Sequence, residues 1–266
     1  MKTRAYAKIN IGLDITGIRE DGYHLLDMVM QTVDLYDELE ITPRDDGRVV
    51  LECDEPGVPT DGRNLAVKAF RALIPEGDER GVSIFLKKNI PSQAGLGGGS
   101  SDAAEVLKAA NVLCGLGKTP DELETAAAKI GADVPFFIKG GCQRCRGIGE
   151  ILSPAEDGHG DYVVIVKPEA GASTKDVYAA YDRLAEKPEC ANVLEAVTAE
   201  MFPVIREIKE QLLAEGAELA GMSGSGTAVF GIFKEMPDEP VIAYLRQKYG
   251  KVFPVRKKNQ QTDSKR

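Results

Sequence analysis

A glycine-rich turn that runs straight into a helix constrains this chain more than any other segment. It reads Pro91-Ser92-Gln93-Ala94-Gly95-Leu96-Gly97-Gly98-Gly99-Ser100-Ser101-Asp102-Ala103-Ala104. From Ala103 the apolar residues Ala103, Val106, Leu107, Ala110, Leu113 and Cys114 fall three and four apart, so the pattern predicts that an amphipathic helix begins where the glycines end. Four glycines permit positive φ and close backbone approach, and the free amides and dipole of a first helical turn favour negative charge. The junction is therefore a candidate anion site, with phosphate as its expected guest. The plainer alternative is a tight loop capped by Ser100 or Ser101.

The loop lacks the Gly-Lys-Ser/Thr ending of a Walker A loop and the spacing of a dinucleotide fingerprint. A formal charge of −9 argues against a nucleic-acid surface, which needs clustered Lys and Arg. No run of about 18 apolar residues and no signal-peptide core is present, so the expectation is a cytoplasmic protein that does not enter membranes. Whether it is a monomer or a homodimer is not written in the sequence. Five cysteines without an export signal do not suggest a disulfide framework. Cys142-Gln143-Arg144-Cys145 has C-x-x-C spacing with arginines that would favour a thiolate, but no second pair completes a zinc site.

Alternation predicts strands over Thr3–Asp14, Val29–Ile41, Val49–Cys53 and Val82–Leu86, with a helix over Leu65–Leu73. A second helix after the glycine turn is expected from about Pro120 to Ile130, capped by Thr119. After Pro154–Gly158 the pattern restarts, with strands at Tyr162–Val166, Ala228–Phe233 and Val252–Val255 and helices at Lys175–Leu184, Val204–Ala214 and Val241–Tyr249. These elements suggest an α+β chain of two domains, 1–155 and 156–256, and a disordered basic tail at 257–266.

The loop resembles the phosphate loop of the galactokinase, homoserine kinase, mevalonate kinase and phosphomevalonate kinase superfamily, Pro-x-x-x-Gly-Leu-Gly-x-x-Ser-Ser-x-Ala. The opening Ala5-Tyr6-Ala7-Lys8-Ile9-Asn10-Ile11, the segment Gly131-Ala132-Asp133-Val134-Pro135 and the turn Met222-Ser223-Gly224-Ser225-Gly226-Thr227 resemble its other sequence blocks, in the same order. The resemblance implies an N-terminal domain like the second domain of ribosomal protein S5, a ferredoxin-like C-terminal domain and an active site in the cleft between them. It further implies ATP as phosphate donor with Mg²⁺, and an alcohol as acceptor. Asp21-Gly22-Tyr23-His24 and Gly147-Ile148-Gly149-Glu150 resemble the branch of the superfamily whose alcohol carries a cytidine diphosphate. Cys142-Gln143-Arg144-Cys145-Arg146 departs from that branch, where small or apolar residues are usual.

Residue by residue, the resemblance implies that Pro91, Ala94, Gly95, Leu96, Gly97, Gly98, Gly99, Ser100 and Ser101 hold the triphosphate, with Ser101 as a candidate Mg²⁺ ligand. Asn64, Leu65 and Lys88 match adenine-pocket positions, and Tyr23, His24, Thr174 and Tyr178 match positions that hold the cytidine. Gly224 lies in the turn that closes on the active site. Asp133 is the candidate base, expected at a helix-to-strand junction, although its alternative is the last turn residue of the preceding helix. Lys8 would keep a neighbouring carboxylate ionised. Asn10, two residues along a strand, shares its face and is a candidate substrate contact. Other small-molecule alcohol kinases of the superfamily, or a catalytically silent binder on the same fold, stay open as alternatives.

Overall fold

The computed structural model describes residues 1–259. The chain forms two compact units, each assembled from separated segments: Met1–Ala7, Leu35–Ile90 and Gly97–Gly140 make the first, and Lys8–Asp34, Pro91–Leu96 and the chain from Gly141 onward make the second. Two long strands, β1 (Lys2–Ile18) and β2 (His24–Arg44), pair with each other and carry the chain from one unit into the other.

In the first unit, Leu35, Asp37, Leu39 and Ile41 of β2 are buried while Glu38 and Glu40 face water, the period-two pattern of a half-covered strand. β4 (Gly81–Lys87) lies antiparallel to this stretch, from Glu38 opposite Lys87 to Arg44 opposite Gly81. β3 (Val49–Cys53) is parallel to β4, so a crossover is required, and α1 (Leu65–Leu73) lies on it. Asn64 caps α1, its Oδ1 accepting from Ala66 N at 2.8 Å. α1 buries Ala66, Val67, Ala69 and Phe70 and packs against α2 (Gly98–Leu113), whose inner face is Ala103, Ala104, Val106, Leu107 and Ala110. α3 (Pro120–Ala128) opens with a capping box between Thr119 and Glu122, as expected. α4 (Val134–Lys139), unforeseen in the sequence, follows at once.

In the second unit, β5 (Cys142–Gly147) pairs antiparallel with the first half of β2, Leu26 opposite Gly147 and Gln31 opposite Cys142, and β6 (Ile151–Pro154) extends it. The C-terminal part is an antiparallel four-stranded sheet in the order β10 (Lys251–Arg256), β7 (Tyr162–Lys167), β9 (Val229–Phe233), β8 (Leu219–Met222). That order and the helices α5 (Thr174–Asp182), α6 (Val193–Met201), α7 (Val204–Ala214) and α8 (Glu239–Tyr249) are ferredoxin-like. Val163, Val164, Ile165 and Val166 of β7 are all fully buried, as befits a central strand. Lys257 forms a bridge with Val33, and Lys258 N donates to Thr32 O at 2.8 Å, so the ordered chain continues past 256 into the segment read as a disordered tail. Its remaining part, 260–266, lies outside the described residues.

Phe70 is 1% exposed and fills the α1–α2 layer. Phe70→Ala should cost about 3–5 kcal/mol of unfolding free energy, measured by urea denaturation with an unchanged m-value.

Candidate active site

The glycine turn enters its helix differently from the sequence reading. α2 starts at Gly98 rather than at Ala103, so Gly98, Gly99, Ser100, Ser101 and Asp102 are its first turn. Gly97, with φ of +74°, occupies the N-cap in the left-handed region, and no side chain caps the helix. Ser101 N donates to Gly97 O at 2.9 Å as the first rung of the ladder, and the amides of Gly98, Gly99 and Ser100 come before it at the positive end of the helix. Gly99 is exposed and Ser100 half-buried there. Ser101 is not available in the expected way: it is 2% exposed and its hydroxyl donates inward to Tyr6 O at 2.7 Å. Among the described residues no group of three or more His, Cys, Asp or Glu could hold a metal ion. The Ser101 hydroxyl, the candidate Mg²⁺ ligand of the sequence, is thus engaged with Tyr6 O.

Beneath α2 lies a buried charge triad. Lys88 Nζ pairs with Asp37 Oδ2 and, at 2.7 Å, with Asp102 Oδ2. Asp37 Oδ1 also accepts from Asn89 N at 2.5 Å and Ile90 N at 2.8 Å. A Cβ on Gly98 would come within 3.3 Å of Lys88 Nζ, so the ammonium lies against the backbone of the first helical residue. Burial works against the charge on Lys88, but Asp102 and Asp37 outweigh it and hold the ammonium above its ordinary value. Burial pushes the Asp102 carboxyl up to about 7, with Lys88 opposing and Asp37 adding to the shift, and Asp102 Oδ1 has no hydrogen-bond partner. Lys88, matched to the adenine pocket, thus has its ammonium committed to structure. Asn64 is likewise engaged at both ends, capping α1 and donating to Pro59 O at 2.7 Å. Leu65 is the first residue of α1, its Cδ1 4.0 Å from where a Cβ on Gly99 would lie.

Lys8 and Asn10 belong to the second unit and share a face of β1, as the alternation required. Lys8 is 3% exposed; its Nζ donates to Asn10 Oδ1 and to Gly95 O at 2.5 Å. Gly95 O also accepts from Ser223 Oγ at 2.8 Å, and Ser223 Oγ accepts from Asn10 N at 3.1 Å. Gly95, at φ of +73°, has no room for a Cβ, which would collide with Ser223 O. Gly224, at φ of +57°, faces Lys8 Nζ and Asn10 Oδ1, which a Cβ would meet at 3.3 and 3.4 Å. Ala94 and Leu96 are buried at 2% and 1%, and bond to the chain around them: Ala94 O accepts from Ala228 N at 3.2 Å and Leu96 O from Lys8 N at 3.0 Å. Both therefore build the loop from below. Pro91 is half-buried at its entry.

Asp133, in the first unit, sits at the N-cap of α4 with φ −84° and ψ −13°, and its side chain makes no capping bond. It joins helix to helix, which corrects the expected helix-to-strand junction; Pro135 is accommodated in the first turn of α4 instead of ending a helix. Asp133 is half-buried.

A second cluster forms on α5. His24 Nε2 is 2.8 Å from Asp182 Oδ1, and its ring lies 4.7 Å from that of Tyr178 at 32°. Asp182 escaped the sequence reading, although it follows Tyr178 by four residues, the spacing of neighbours on one helical face. Tyr23 is 59% exposed with the Arg19 guanidinium 5.7 Å from its ring centre. Thr174 Oγ1 and Ser225 Oγ are 2.9 Å apart, which ties the start of α5 to the turn after Gly224. In the departing segment, Cys145 is fully buried, and burial, reinforced by Asp157, pushes the Cys142 thiol up to about 11. The arginines do not make it a thiolate: Arg144 is spent on Asp27, at 2.5 Å, and Arg146 also leans on that carboxylate at 3.6 Å.

Residues 64–141 match the GHMP kinases N terminal domain and residues 177–251 the GHMP kinases C terminal domain. A 4-diphosphocytidyl-2-C-methyl-D-erythritol kinase of Clostridium novyi (strain NT) is 42% identical, covering 95% of this chain and 98% of its own. One of Clostridium beijerinckii is also 42% identical, over 96% of this chain and 99% of its own. A crystal structure of 4-(cytidine 5'-diphospho)-2C-methyl-D-erythritol kinase superimposes with a TM-score of 0.78 at 33% identity, over 97% of this chain and 99% of that one. Homoserine kinase from Cytophaga hutchinsonii shares the fold, with a TM-score of 0.74 at 18% identity. The chain belongs to the GHMP kinases, in the family of the 4-diphosphocytidyl-2-C-methyl-D-erythritol kinases.

The triad gives a pH signature. An aspartate of the unfolded chain ionises near 3.8, whereas folded Asp102 keeps its proton to about 7. Between those values the folded state binds the extra proton, so the contribution of Asp102 to stability falls as pH rises through the window and is level above it. From about pH 5 to about pH 8 the stability of Asp102→Asn relative to wild type should therefore rise by more than about 1 kcal/mol, read from urea melts at each pH. Parallel pH curves for the two proteins would contradict the assignment.

Proposed function

We propose that this chain is an ATP-dependent kinase that phosphorylates a hydroxyl of 4-diphosphocytidyl-2-C-methyl-D-erythritol, in the non-mevalonate route to isoprenoid precursors. The observation that carries the reading is the 42% identity, over 95% of the chain, with kinases of that name. Residues 1–155 and 156–256 are assigned as its N- and C-terminal domains, and the matched segments 64–141 and 177–251 fall within them. No helix among the described residues is long and apolar enough to cross a membrane, which agrees with a cytoplasmic enzyme of small metabolites.

Phosphoryl transfer asks the protein for position and charge, and little covalent work. The amides of Gly98, Gly99 and Ser100 and the dipole of α2 receive the phosphates of ATP. A Mg²⁺ bound with the nucleotide beside the first turn of α2 would supply charge neutralisation, and the groups of the chain do the rest. Asp133 accepts the proton of the attacking hydroxyl while the oxygen takes the terminal phosphoryl group and ADP leaves. The Lys8 ammonium, held by Asn10 and Gly95 O, offsets the negative charge that gathers on the transferring group. Tyr178 and His24 offer rings for the face of a cytosine, and Asp182 fixes the orientation of the His24 ring. Tyr23 and Thr174 complete the cytidine contacts.

Asp133→Asn should lower turnover by about 10²–10⁴ while ATP still binds, since the amide keeps the shape and cannot take the proton. Turnover within threefold of wild type would remove Asp133 from this role. Tyr178→Ala should raise KM for the cytidyl alcohol about tenfold and leave KM for ATP unchanged. A panel including homoserine and mevalonate decides the acceptor: faster phosphorylation of either than of the cytidyl alcohol would overturn the substrate assignment.

A further inference from the structure

The start of α6 grips the Met222–Gly224 turn with two side chains. Asn192 Nδ2 donates to Met222 O at 2.7 Å and to Gly224 O at 2.9 Å, while Asn192 Oδ1 caps α6 by accepting from Leu194 N at 3.0 Å. Glu195, three residues on and on the same helical face, accepts from Met222 N at 2.7 Å through Oε2 and from Lys209 Nζ at 2.5 Å through Oε1. Both main-chain groups of Met222 are thus held from one turn of one helix. Asn192 is 4% exposed, and Met222 and Ser223 are fully buried, so water cannot stand in for these bonds. The cap itself is fastened to the strand of Lys8: Leu13 N donates to Ala191 O at 2.7 Å, and Leu13 and Asn192 form a parallel bridge.

The gripped residues are the ones that set the surroundings of Lys8. Ser223 Oγ shares the acceptor Gly95 O with Lys8 Nζ, and Gly224 abuts Lys8 Nζ and Asn10 Oδ1 so closely that a Cβ would meet them. A shift of the turn by a few tenths of an ångström redirects Gly95 O and alters the two acceptors that hold the ammonium. We propose that Asn192 and Glu195 are positioning residues that fix the Met222–Gly224 turn and thereby hold the Lys8 ammonium in its working orientation. Its effect on turnover rests on the kinase reading above; its effect on Lys8 does not.

Asn192→Ser separates the two duties of the residue, because serine is a good N-cap but cannot reach both carbonyls. Lys8 then loses well-placed acceptors, which disfavours its charged form. Competitive labelling of the folded protein with acetic anhydride, read by mass spectrometry against the other lysines, should show Lys8 reacting about threefold faster or more, with its half-labelling pH moved down. In the kinase assay kcat should fall about tenfold, with KM for ATP within about twofold. Glu195→Ala should act in the same direction and decides the matter alone if Asn192→Ser does not fold, whereas Lys209→Met, which removes only the outer ion pair, should leave both readouts unchanged. Unchanged Lys8 labelling in folded Asn192→Ser and Glu195→Ala overturns the inference even if wild type is a competent kinase. Altered labelling with no phosphorylation by wild type supports the positioning role and sinks the kinase reading instead.

Discussion

One carbonyl oxygen gathers the machinery of the second unit. Gly95 O accepts from the ammonium of Lys8 and from the hydroxyl of Ser223, and so ties the first strand, the glycine turn and a loop more than a hundred residues further on. A glycine is required because a Cβ would strike Ser223 O and because φ is positive. The arrangement holds the buried ammonium on two neutral acceptors, Asn10 Oδ1 and Gly95 O.

Lys88 shows another use of the same residue type. Its charge is consumed by Asp37 and Asp102, and two carboxylates against one ammonium leave a surplus negative charge in a dry place unless Asp102 keeps its proton. Buried pairs of this kind seldom add much net stability, but removing one member is costly. What the triad provides is placement: it joins the end of β4 to β2 through Asp37 and to the first turn of α2 through Asp102, with the ammonium against Gly98. The helix whose first amides form the proposed phosphate site is thereby pinned at its own N-terminus.

Much of this was legible in the chain. Alternation gave β1, β2 and β4, and with β1 the shared face of Lys8 and Asn10; the glycine turn announced a helix start. The helix start itself was misplaced by five residues because Gly98 and Gly99 read as loop by propensity, and packing against α1 overrides that weak preference. α4 and α6 were missed since each is short and β-branched residues or a proline open it; the cap signal of Asn192, directly before Val193-Leu194, was present and unread. Asp37 could have been flagged as an acid on the inward phase of a strand. Its partner Lys88 could not, because which buried cation answers a buried acid is decided by tertiary contact and leaves no local pattern.

The segmented make-up of the two units bears on how the chain is born. Every residue of the first unit lies within the first 140 positions, so it has all its parts while the rest of the protein is still being synthesised. The second unit cannot close so early. Thr32 waits for Lys258, Val33 for Lys257 and Asn10 for Ser223, each more than two hundred residues further along the chain. For most of translation the inner half of β2 and the end of β1 are nascent strands without their final neighbours, and hydrophobic residues such as Met28 and Met30 have no permanent cover. Vectorial synthesis therefore places the demand for chaperoning on β1 and β2, which are made before the partners that cover them.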